Sequence, residues 1–124
     1  APQDAVRIKE AGADAIYVSN HGGRQLDSAP PAVSRLPLIR EALGNDYPLL
    51  FDSGIRSGES VVKALAMGAD FVMLGRPFLF ASGAYRELGV MRLVEMLTDE
   101  VSLTLAQLGC KSVEELEPNM IIEN

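Results

Sequence analysis

At 124 residues, with 48% apolar and 23% charged side chains, the chain has the composition of one modest globular domain, not of a disordered segment. Its net charge of −6 argues against a nucleic-acid partner, because neutralising phosphates takes a surplus of Lys and Arg. Cys110 is the only cysteine, so no disulfide can form within the chain and a reducing, cytoplasmic compartment fits; no apolar run is long enough to cross a bilayer, and no signal peptide is recognisable.

The elements read in order as helix–strand units. Pro2 stands where a first helical turn begins, and an opening on Ala1-Pro2 without Met reads as a piece of a longer protein. Asp4 to Ser19, "DAVRIKEAGADAIYVS", is a helical pattern, then "GAD", then a strand-length run at Ala15–Val18. Pro31 to Leu43 predicts a second helix ending at Gly44, and "PLLFDSG" supplies a second strand. Ser60 to Gly75, "SVVKALAMGADFVMLG", nearly repeats the first unit and ends in a third strand at Phe71–Leu74. Gly12 and Gly68 suit the left-handed residue that closes a helix. The runs Ala15–Val18 and Phe71–Leu74 hardly alternate, as parallel strands buried on both faces should read.

Beyond Arg76 the pattern changes. Pro77 to Ser82 predicts a short extra helix, and Ala84 to Leu108 a long one with Val90, Leu93, Val94, Leu97, Val101, Leu105 and Leu108 on one stripe. "SVEE" at Ser112 to Glu115 is a capping-box start for a last short helix. No linker divides the chain, so residues 1–124 are expected to form a single unit.

Three helix–strand units call for an α/β fold with parallel strands and right-handed crossovers. A (β/α)8 barrel takes about 250 residues. The expectation is therefore the C-terminal half of a TIM barrel, with a helical extension after its last strand. A doubly wound open sheet competes, and periodicity does not choose between them.

Each strand runs into polar, glycine-bearing sequence at its C-terminal end, where parallel α/β proteins bind ligands: "SNHGGR", "DSGIRSG" and "GRP". Gly54 and Gly58 allow close backbone approach, free N–H groups at the following helix start attract an anion, and Arg56 adds a charge suited to phosphate. Gly75 and Arg76 repeat that chemistry one unit later, so two neighbouring loops share one phosphate. His21 is the only histidine. A lone His at a strand end is commonly structural; alternatively, its imidazole serves as a general base. Arg24 is either a solvated loop charge or a planar fork for a carboxylate. A metal site is disfavoured, since there is no second His and Cys110 is remote; a Ser–His triad lacks its nucleophile elbow.

"SNHGGRQLD", "DSGIRSG" and "GADFVMLGRPFL", in this order, resemble the C-terminal part of the FMN-dependent α-hydroxy acid dehydrogenases, from the first helix to about Leu116. The second and third motifs are similar to those of several FMN or phosphate barrels, type II isopentenyl diphosphate isomerase and IMP dehydrogenase among them; "SNHGGRQLD" is the discriminating piece. The resemblance implies FMN as cofactor and oxidation of a small L-2-hydroxy acid to a 2-oxo acid. It implies His21 as base, Arg24 on the substrate carboxylate, and Ser19 beside the flavin. Asp52, Ser53, Gly54, Ile55 and Arg56, with Gly75 and Arg76, would hold the ribityl-phosphate.

The resemblance also places a flavin-contacting lysine, an Asp that orients the histidine, substrate-side tyrosines and a second arginine before Ala1. The chain alone is thus expected not to oxidise hydroxy acids, and its open edges to pair with the missing part of the barrel or with copies of itself. The family implies a homo-oligomer, a tetramer, located in the cytoplasm or, for some members, peripherally at the inner membrane. Two other readings stand beside this one: an isomerase-like FMN barrel, and a half-barrel that only binds phosphate.

Overall fold

The computed structural model describes residues 1–121. Helix α1 (Pro2–Glu10) leads through Gly12, at φ 91°, into strand β1 (Ile16–Val18). Helix α2 (Leu36–Leu43) precedes β2 (Leu49–Phe51), and α3 (Gly58–Ala66) precedes β3 (Phe71–Val72), with Gly68 at φ 103° between them. The sheet is parallel in the order β1-β2-β3, with Ile16, Tyr17 and Val18 opposite Leu49, Leu50 and Phe51, and with Leu50 and Phe51 opposite Phe71 and Val72. The three helix–strand units expected from the sequence are present, and the strands are shorter than expected at both ends of the series.

The second helix is not continuous from Pro31. A 3-10 turn (Ala32–Arg35) comes first and α2 starts afresh at Leu36. Pro37 explains the break: it has no N–H to donate back to Val33, so a helix running through it would lose a rung. The expected pair of helices after Arg76 forms one run, α4 (Arg76–Leu108), broken by non-helical backbone at Tyr85 (φ −141°, ψ 25°) and Arg86 (φ 49°, ψ −128°). The last predicted helix is only a 3-10 turn (Val113–Glu115), and half of its capping box is displaced: the Glu115 carboxylate accepts from the Lys111 N–H (2.8 Å).

The core lies between the sheet and the helices. Leu36, Leu49 and Phe51 are fully buried, with Ile16, Val18, Ile39 and Leu43 around them, and Val62 is fully buried in a second cluster with Leu105 and Cys110. The opposite sheet face carries no helix. Tyr17, Leu50 and Phe71 share it in register, Tyr17 being 48% and Phe71 61% exposed. Burial on both faces, expected from the apolar runs, therefore holds on the helix side alone. In a closed barrel the second face is the interior, which side chains from all the strands fill together.

Two contacts fix the helix layer. At Gly58 an added Cβ would stand 2.5 Å from Cβ of Glu100 and from the backbone nitrogen of Val101, so α3 and α4 cross at a distance only glycine allows. Val101 and Leu105 of the predicted stripe pack on Val62, whereas Val94 stays 47% exposed. At the lower rim, the Arg40 guanidinium donates to the carbonyls of Gly44 (2.8 Å), Tyr47 (2.8 Å) and Gly68 (2.7 Å) and to the Asp70 carboxylate (2.6 Å). Asp70 in turn accepts from the Leu49 N–H (2.7 Å).

Replacing Arg40 by Met strands several carbonyls and should lower unfolding stability by about 2 kcal/mol, less than for a fully buried pair because Asp70 is half exposed; urea midpoints measure this. Arg86 occupies backbone space that suits glycine, so Arg86→Gly should raise stability by about 1 kcal/mol, read as a higher Tm.

Candidate active site

The sheet register levels the three strand tops, and their loops meet there. After Val18 the chain makes a tight turn (His21–Gly23) in which Ser19 Oγ accepts from the His21 N–H (3.1 Å) and Asn20 Oδ1 from the Gly23 N–H (3.1 Å). His21 (φ 57°) is held in left-handed backbone, and so is Ser53 (φ 86°) on the neighbouring loop. Non-glycine residues pay for that conformation, and such strain collects where a structure fixes a functional group. The two loops are tied together. Ser53 Oγ accepts from the N–H groups of Asn20 (3.1 Å) and Gly22 (3.4 Å), and its hydroxyl donates to Asp52 Oδ1 (2.7 Å).

Asp52 is the charged hub. Partial burial pushes its carboxyl upward, but the hydroxyls of Ser19, Tyr17 and Ser53 and the nearby His21 outweigh that and hold it below the usual carboxylate range. The Tyr17 hydroxyl donates to Asp52 Oδ2 (2.6 Å). That bond, with burial and the carboxylate charge behind it, pushes the phenol up to about 12.

The third loop contributes Gly75 and Arg76, where α4 begins without a side-chain cap. The Arg76 guanidinium reaches across to the first loop: a Cβ on Gly22 would lie 3.4 Å from it. The start of α3 is used differently. Ser57 Oγ accepts from the Ser60 N–H, and the Glu100 carboxylate takes the Gly58 N–H at 2.6 Å. The anion expected from the sequence at the helix after "DSGIRSG" is thus supplied from within the fold, and the uncapped start of α4 is the one that opens on the loops.

A cleft of about 410 Å³ joins these parts, within the usual size of a small-molecule site. His21 and Arg24 line it from the first loop, Asp52, Ser53, Gly54 and Ile55 from the second, and Gly75 and Arg76 from the third. Ser19 does not line this cleft; it lines a second hollow with Tyr17, although its hydroxyl reaches Asp52. Arg56 is exposed and does not line the cleft either. Gly22, Gly23 and Met73 line it without having been singled out, and Asn20 and Tyr17 shape it from behind. An Asn three residues before a glycine, able to accept from that residue's N–H, is a turn signal that could have found Asn20. Tyr17 announces itself only as an aromatic residue in an aliphatic strand.

A cofactor with a phosphate and a hydroxyl-rich chain fits this donor set. The Arg76 guanidinium and an uncapped helix start suit the phosphate, and the Asp52 carboxylate suits hydroxyls. At Gly54 and Gly75 an added Cβ would meet nothing within 4 Å, so the backbone there leaves open space beside the cleft.

A cleft at the C-terminal rim of three parallel strands, lined by the loops that follow each of them, is where a segment of the (β/α)8 type binds ligands. The family is more particular. The profile described as FMN-dependent dehydrogenase matches residues 1–123, and the chain belongs to that family. It is 45% identical over 115 residues to an L-lactate oxidase of Alicycliphilus denitrificans, covering 93% of this chain and 32% of that protein. Among solved structures it superposes on a monotopic membrane protein, (S)-mandelate dehydrogenase, with a TM-score of 0.95 at 40% identity, covering 100% of this chain and 33% of that one. A mandelate oxidase variant carrying a monooxide FMN adduct gives 0.90 at 45% identity, covering 95% and 38%. The chain spans about a third of the length of the curated relatives it matches. Its three parallel strands form an open part of a TIM barrel, as the sequence predicted.

Ser53→Ala removes the hydroxyl that joins the loops. Amide exchange at Asn20 and Gly22 should accelerate about tenfold, the equivalent of one hydrogen bond; unchanged protection would mean the loops hold without it.

Proposed function

We propose that this chain supplies the base, the carboxylate anchor and the phosphate grip of an FMN-dependent enzyme that oxidises an L-2-hydroxy acid to the 2-oxo acid. The observation that carries the reading is the placement of His21 and Arg24 on the same cleft as Asp52 and Arg76. FMN, when bound, supplies the two-electron acceptor. His21 removes a proton from the substrate, at the hydroxyl or at the α-carbon. Arg24 holds the carboxylate through paired N–H donors and so orients the carbon to be oxidised. Arg76, with the Gly75 backbone, binds the cofactor phosphate; Arg56 joins it from outside the cleft. Asp52 accepts from the ribityl hydroxyls, with Ser53, Gly54 and Ile55 lining the chain beside it, and Ser19 stands at the flavin.

Residues 1–124 act as one unit of a longer barrel. Both sheet edges support this: an apolar hollow lies beside Ile16 and Tyr17 of β1, and another beside Phe71 and Val94 next to β3. The partner that covers them is the remainder of the barrel, and without it the unit does not turn over. The intact enzyme is a homo-oligomer of the cytoplasm or of a membrane surface. No helix among the described residues is long and apolar enough to cross a membrane.

In the intact protein, His21→Ala should slow flavin reduction by 2-hydroxy acids about 10²- to 10⁴-fold while FMN stays bound. Unchanged reduction would sink the reading. Arg24→Met should raise KM by roughly tenfold or more through the lost charge-assisted pair, measured by steady-state kinetics.

A further inference from the structure

One side chain at the site has no place in the function proposed above. Tyr17 sits on the open sheet face in the middle of β1, and its hydroxyl bonds across the strands to Asp52 Oδ2 at 2.6 Å. The other carboxylate oxygen accepts from Ser53 Oγ at 2.7 Å, and Ser53 Oγ accepts in turn from the Asn20 and Gly22 N–H groups that flank His21. The chain of bonds therefore runs from the floor of the sheet, through Asp52, to the loop that presents the imidazole.

We propose that Tyr17 is a positioning residue: its hydroxyl pins the Asp52 carboxylate so that the remaining lone pairs face the hydroxyl-rich chain of the flavin and the Ser53 bridge to the His21 loop stays closed. This rests on the flavin reading given above. A carboxylate has about four acceptor sites. Tyr17 and Ser53 use one on each oxygen and the Ser19 hydroxyl takes a further one, which stops the group rotating and leaves an acceptor free for a ligand hydroxyl. Without the phenol, Oδ2 loses its bond to the middle of β1, and the carboxylate, held only by the Ser19 and Ser53 hydroxyls, can turn away from the cleft.

The titratable neighbours of Asp52 are Tyr17 from β1 and His21 from the loop above it, with Arg24 and Arg76 lining the same cleft. Losing a donor to the anion raises a carboxyl, so Tyr17→Phe moves the acid limb of flavin binding to higher pH. A tyrosine that served only to brace two strands would leave that limb in place.

The test uses the apo form of the intact protein, titrated with riboflavin, which has the ribityl chain but no ionisable phosphate, across the acid range. Tyr17→Phe should weaken riboflavin about tenfold, equivalent to ~1.4 kcal/mol, and shift the acid limb upward. Asp52→Asn should remove the limb, and the double variant should bind as Asp52→Asn alone does. An equal loss from Tyr17→Phe in both backgrounds, or an unmoved limb, overturns the proposal. Should the wild-type protein bind no flavin, the functional reading falls instead. The pinning is then decided by carboxyl carbon NMR of Asp52 without ligand. A titration midpoint that climbs towards the usual carboxylate range in Tyr17→Phe supports it, and an unchanged midpoint refutes it.

Discussion

The alignment of Val18, Phe51 and Val72 across three parallel strands is the constraint on which the rest depends. A slip of β2 by one residue would turn Leu49 and Phe51 out of the core and Leu50 into it. It would also separate Asp52 from the first loop. The register is pinned from below. Asp70 takes the Leu49 N–H at the entrance of β2, and Arg40 binds Asp70 together with the turns that feed both strands. A charge cluster far from the cleft thus sets the level at which the three loops emerge.

Stability spent at the upper rim is repaid in geometry. His21 and Ser53 both hold left-handed backbone, and the hydroxyl, amide and carboxylate bonds around Ser53 over-determine that arrangement. A short loop in such a conformation cannot drift, so the imidazole keeps its place relative to Asp52. The helix starts divide the anion chemistry between them. Glu100 satisfies α3 from inside the fold, and α4 is left uncapped next to Arg76, where a phosphate can complete it.

The uncovered sheet face is the other half of the logic. Tyr17, Leu50 and Phe71 form an apolar row with a single polar tip, the Tyr17 hydroxyl, aimed at Asp52. Such a row suits the interior of a barrel, where remaining strands bury it, and the match to a third of each relative's length agrees with an open arc of that barrel. Burial by the rest of the barrel would lower the local dielectric and strengthen the same Tyr17–Asp52 bond.

Much of this was legible in residues alone. Helix–strand alternation with "GAD" before two of the strands predicts parallel units, because the pattern and its breaks are local. The motifs at the strand tops carry the family resemblance that the family match bears out, because they too are short and local. The sequence could not show that Pro37 splits a helix into a turn and a shorter helix, although the missing N–H is a local cause. It could not show that one sheet face lies bare, because burial is decided by what packs on it. Nor could it show that Glu100, 42 residues away, fills the helix start offered to an anion, or that Tyr17 meets Asp52 across 35. Those pairings are long-range. Sequence determines which side chains are available and in what local backbone, and the tertiary structure alone decides which of them meet.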